Sequence, residues 1–185
     1  MQFNKLIRYC LIASLFIFQI GCAPDIPISA VTADSTVKLD NVSFSPILLT
    51  TGEVDGSIYS GAYTKIYKWH FDENMQREFI DVLSRELANH GGGFDGGNET
   101  STSIHVNFRK TFYESNAGNY FFDVEMKLSY MEVSKSFFYR ISTQEGLSFS
   151  EQWNFTVTEK RAWAVKKLVE FMMSDIEQFV KGGRV

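Results

Sequence analysis

Residues able to do chemistry are sparse in this 185-residue chain. Three histidines are present, His70, His90 and His105. His70 lies two positions before Asp72, and such a pair can contribute metal ligands. A closed zinc site needs four ligands, and no second cluster is in sight, so neither a metal nor a cofactor is expected. Asp72 reads instead as the N-cap of the helix that follows it. His90 stands at that helix's other end, where a partly positive ring suits the dipole. His105 falls on the polar face of a strand, with solvent as its expected partner. Asp123 and Glu125 share a strand face and could act as an acid/base pair. Arg109 and Lys127 on the same side make a cross-strand charge ladder the preferred reading. The glycine-rich run Gly91 to Gly97 lacks the Lys and hydroxyl of a phosphate loop and precedes a strand. It reads as a flexible helix-to-strand connection. No Gly-x-Ser-x-Gly elbow occurs, and no catalytic residue is assigned. The expectation is a protein that is not an enzyme.

Composition narrows the classes further. The length suits one domain. A formal charge of −4 argues against a general nucleic-acid binder, which would carry a basic stripe. Three prolines exclude Pro-rich low complexity.

The N-terminus reads as an address. Lys5 and Arg8 form a basic region, an apolar stretch runs from Tyr9 to Phe18, and small Gly21 precedes Cys22. That is the layout of a secretory signal, and it is shorter than the ~20 apolar residues of a membrane span. The stretch Gln19-Ile20-Gly21-Cys22 resembles the lipobox of bacterial lipoproteins, with Gln19 where that pattern usually carries Leu. The resemblance implies cleavage before Cys22 and lipidation of its thiol. Ala23 after the cysteine implies sorting to the outer membrane, with the domain facing the periplasm. The remaining cysteine, Cys10, lies in the segment to be removed, so no disulfide or thiolate chemistry is expected. Loss of residues 1–21, which hold Lys5 and Arg8 and no acid, moves the formal charge from −4 to −6. The organisation expected is a signal peptide over 1–21, a lipidated tether over 22–36, and one domain over 37–185.

Within that domain, Val37, Leu39, Val42 and Phe44 suggest a strand whose phase breaks near Asn41, as at a bulge. Met75, Phe79, Val82, Leu83 and Leu87 recur at helical spacing and predict a helix from Glu73 to Asn89, ended by glycines. Three strands follow. In Ser103–Tyr113, Ile104, Val106, Phe108 and Phe112 share a face, with Lys110 the exception. In Tyr120–Met131, alternation runs from Tyr120 to Tyr130. In Ser136–Thr143, Phe137, Tyr139 and Ile141 share a face. A short extra strand is expected at Leu147–Phe149. The last helix runs from about Glu159 to Lys181, with Thr156 and Glu159 as a capping box and Thr158 as the rival cap. The order strand, helix, three strands, helix predicts an α+β two-layer sandwich. Two helices would cover one face of a mostly antiparallel sheet and leave a polar face to water.

Aromatic residues make up 15% of the chain, more than the faces above absorb. Tyr59, Tyr63, Tyr67 and Trp69 punctuate a long connection that has room for a short strand at Thr64–Trp69, and Phe121, Phe138 and Trp163 fall off the apolar faces. Exposed aromatics concentrate at interfaces. Tyr59, Tyr63, Tyr67, Trp69, Phe121 and Phe138 are therefore the candidate interface. The element order is similar to that of small accessory lipoproteins, including the lipopolysaccharide-assembly lipoprotein family. That similarity implies a lipid-anchored accessory protein that binds the membrane through its lipid and serves an envelope assembly or transport complex. The alternative is a module that binds a small ligand or lipid in a cavity lined by Phe and Met. A hydrolase using Asp123, Glu125 or His105 is the third reading.

Overall fold

The structure, a computed structural model, describes residues 30–51, 60–61, 64–67, 73–95, 101–114 and 119–182. Its core is organised by strand β7 (Asn119–Tyr130), which pairs on both sides with antiparallel neighbours. β6 (Ser103–Glu114) lies on one side and β8 (Val133–Ser142) on the other. Tyr120, Phe122, Val124, Met126 and Leu128 are all buried, as their alternation requires. Helix α1 (Glu73–Asn89) contributes Met75, Phe79, Val82, Leu83 and Leu87 to the same core. The longest helix, α4 (Val157–Gly182), adds Val165, Leu168, Val169, Met172, Ile176 and Phe179. The two-layer α+β sandwich follows directly: one sheet row is apolar, and two amphipathic helices cover it. Phe79, Phe108 and Phe122 stack edge to face, with centroids 5.1 and 6.0 Å apart.

The sheet has more parts than the three long strands, among them the short strand expected within Thr64–Trp69, observed at Thr64–Tyr67. β2 (Leu48–Thr51) runs parallel to β6 at His105–Phe108. β3 (Ser60–Gly61) and β4 (Thr64–Tyr67) form a small hairpin that meets β6 at Tyr113 and Glu114. β1 (Val42–Phe44) and β5 (Gly92–Phe94) make a separate parallel pair. The glycine run is therefore part strand rather than wholly flexible connection. Gly92 fits because its backbone lies against Phe44 and the Leu87 carbonyl, where a Cβ would come within 2.8 and 2.9 Å.

Several local expectations are corrected. Asp40 and Asn41 form a turn, with Asn41 at φ 64°, in place of a bulge. Asn tolerates that left-handed conformation. The bulge lies instead in β6: Phe108 pairs with Val124 and Lys110 with Asp123, which leaves Arg109 as the extra residue. The register then shifts by one, so buried Thr111, paired with Phe122, follows Phe108 in the core row. A two-residue turn at Met131 and Glu132 starts β8 at Val133, ahead of the expected Ser136. Residues 147–149 form no strand. Leu147 and Ser148 instead link α2 (Thr143–Gly146) to α3 (Phe149–Asn154), which opens on a capping box between Ser148 and Glu151. At α4 the Thr156 amide donates to Glu159 Oε2 at 2.7 Å, and the Glu159 amide donates to Thr156 Oγ1 at 3.3 Å. Thr156 is thus the cap, not Thr158.

The segment expected as a tether is packed from Val31 onward. Val31, Val37 and Leu39 are buried, and Asp34 receives Lys166 Nζ at 2.6 Å. Among the described residues, no helix is long and apolar enough to cross a membrane.

Two substitutions test this packing. Phe122→Ala removes a ring with no exposed surface and should cost about 3–5 kcal/mol in urea unfolding. Gly92→Ala forces a methyl against backbone and should cost about 1–3 kcal/mol. A loss under about 0.5 kcal/mol in either, the range of surface substitutions, would contradict the core described.

Candidate functional site

The sheet face turned away from both long helices gathers the residues with functional potential. Across it, β8 contributes Phe138 and Arg140, β7 contributes Phe121, Asp123, Glu125 and Lys127, and β6 contributes His105 and Asn107. The bulge adds Arg109, because the extra residue and Lys110 are both exposed. Phe138 is 62% exposed, unusual for so large an apolar ring. The Arg109 guanidinium sits over it, 5.9 Å from the centroid. Arg140 lies over the half-buried Phe121 ring at 5.7 Å and reaches Asp123 at 4.0 Å. These are two Arg–aromatic stacks on one surface, each worth on the order of 1 kcal/mol where partly desolvated.

The groups considered for catalysis share this face on neighbouring strands. His105 Nε2 lies 3.0 Å from Thr50 Oγ1 on β2. Asp123 faces Arg140, while Glu125 stands opposite Asn107 and Phe138 in register. Among the described residues, no group of three His, Cys, Asp or Glu side chains is placed to hold a metal. The Phe and Met residues that would line a ligand cavity pack on one another in the core.

Of the candidate interface residues, Phe121 and Phe138 lie together on this face. Tyr67 belongs to β4. Tyr59, Tyr63 and Trp69 lie outside the described residues, as do Cys22, His70 and Asp72. Trp163 is half-buried, with its ring against Gly146.

One aromatic pair escaped the sequence reading. Phe149 and Trp153 on α3 are 79% and 77% exposed, with ring centroids 6.1 Å apart. The signal was present in Ser148-Phe149-Ser150-Glu151, a capping-box pattern.

His90 has a structural task. Nδ1 lies 2.7 Å from the Glu86 carbonyl and Nε2 3.0 Å from the Ser35 carbonyl. Carbonyls only accept, so both contacts are hydrogen bonds only when both ring nitrogens carry protons. Burial pushes His90 down. The bonds to Ser35 and Glu86, with the Glu86 and Glu177 carboxylates, outweigh burial and hold it above the ordinary value. The ring thereby ties residues 31–39 to the end of α1. Arg85 donates to the Val31 carbonyl, and the Lys38 amide donates to Glu177 Oε1 at 3.1 Å. Lys166 beside Asp34 holds that carboxyl below its usual range.

No family model matches this chain, and no curated protein matches it. Among solved structures, it is similar to the crystal structure of protein XCC0632 from Xanthomonas campestris, described under the family DUF330. That likeness has 8% identity and a TM-score of 0.48, over 83% of this chain and 94% of the other. A second, to an uncharacterized protein, has 12% identity and a TM-score of 0.37, over 75% and 98%.

A raised histidine stabilises the fold below its unfolded value, and that contribution fades as pH rises through the folded value. Amide exchange at residues 35–39 should therefore quicken from the acid to the alkaline side of 6.5. After correction for intrinsic exchange, His90→Gln should remove that dependence. Equal protection in the wild type on both sides would contradict the double bond to Ser35 and Glu86.

Proposed function

We propose that this chain is a lipid-anchored periplasmic accessory protein. It would hold an envelope assembly or transport partner on the sheet face that carries Phe138. The anchor reading is supported by the basic, apolar and Gly21-Cys22 order of the N-terminus, and Ala23 supports the outer membrane. Function is carried by one observation: a largely exposed Phe138 beneath Arg109 on a face turned away from both helices. Tyr, Trp and Arg dominate interface hot spots, and an aromatic ring already stacked with arginine loses little side-chain freedom on binding. The mixed charges around it, Asp123, Glu125, Lys127 and Arg140, would form the polar rim. The chemistry is recognition rather than turnover.

The test uses the full chain in its native bacterium. A photo-crosslinking residue at position 138 should capture a reproducible envelope protein. The same probe at Ser174, exposed on α4, should not. Phe138→Ser should weaken the partner's binding about tenfold, the effect of losing a modest hot spot. Cys22→Ser should release the protein from the envelope fraction. Capture equal at 138 and 174 would overturn the binding face, and unchanged fractionation of Cys22→Ser would overturn the anchor.

A further inference from the structure

The exposed pair on α3 calls for its own account. Phe149 and Trp153 lie one helical turn apart, and no residue of α3 is buried. Val157, the first residue of α4, is a further exposed apolar side chain at 42%. Capping boxes at Ser148 and Thr156 hold this short helix and the start of α4 in place. The surface is therefore fixed, apolar and turned outward.

The path of residues 31–39 says what it faces. Their contacts advance along α4 in its own direction: Asp34 meets Lys166 and Glu170, and Lys38 meets Glu177. The chain before Asp34 thus comes from the side of the α4 N-terminus. That is the end joined to α3 through Phe155 and Thr156. Cys22 precedes Val31 by nine residues, a contour of at most about 30 Å. Followed back to Val31, the described chain therefore heads toward the end of the molecule that carries the aromatic pair.

The sequence at that end is mixed in charge: Glu145, Glu151 and Glu159 with Lys160 and Arg161, of which Lys160 is buried and Glu151 and Glu159 are engaged as caps. A polybasic attraction to anionic headgroups is absent from this sequence stretch. Trp and Phe partition into the interfacial layer of a bilayer through their rings, with little dependence on salt. We infer that Phe149 and Trp153 seat in the interface of the bilayer holding the Cys22 lipid, so that the domain stands on the membrane through α3. This rests on the lipid-anchor reading above. It adds a second attachment, which fixes the orientation of the domain on the membrane.

The full lipidated chain, purified from envelope and reconstituted into phosphatidylcholine vesicles, tests it. Vesicles with brominated acyl chains quench only tryptophans close to the bilayer. Wild-type emission should fall in brominated relative to plain vesicles, at low and high salt alike. Trp153→Phe, which keeps an aromatic ring at an exposed site, should abolish that Trp153 component while the protein still floats with the vesicles. If lipidated protein floats but its Trp153 component is equal in both vesicles, the inference is overturned and the anchor stands. If mass spectrometry finds no lipid on Cys22, the anchor reading fails and the inference with it.

Discussion

The structure depends on one constraint, the strict alternation of β7. Five alternate side chains from Tyr120 to Leu128 are buried, and the intervening ones are not. Such a strand creates one face that must be covered and one that need not be. The apolar stripes of α1 and α4 answer the first demand. The second face is then free to carry charge and aromatic rings without a stability penalty. Burial of the inner row and availability of Phe138 are two results of the same period of two.

A second layer of organisation is polar. Residues 31–39 are held over the helices by Arg85, His90, Lys166 and Glu177, with Val31, Val37 and Leu39 buried beneath. Most of these ties are partly exposed, so each is worth little alone. Their value lies in direction: they fix where the chain enters the domain. The His90 bonds make that fixing sensitive to pH, because both carbonyls are satisfied only when both ring nitrogens carry protons.

Legibility followed periodicity. β7, α1 and α4 each repeat their apolar residues over many positions, so their buried rows were readable. The bulge at Arg109 was visible only as a Lys110 out of step with the alternation, and the one-residue shift it signals brings Thr111 into the core row. β5 was hidden because Gly92 and Gly93 have no side chains to show a period, and only the neighbouring Phe44 reveals why glycine sits there. The helix α3 buries nothing, so it has no stripe, and its capping box was the sole signal. For the candidate site, Phe121 and Phe138 stand out as residues out of phase, while Phe149 reads as the end of a strand at Leu147–Phe149 and Trp153 falls between expected elements. Arg109 and Arg140 could not be joined to their rings without the register of three strands.

The central claim is that the face bearing Phe138 is a contact surface in the envelope, and side-chain footprinting measures that directly. Hydroxyl-radical labelling of Phe138 would be compared between native envelope and purified protein, with the half-exposed Phe171 on α4 as internal reference. The account predicts that Phe138 is protected in the envelope while Phe171 is labelled equally in both. Equal labelling of Phe138 in both preparations would contradict it.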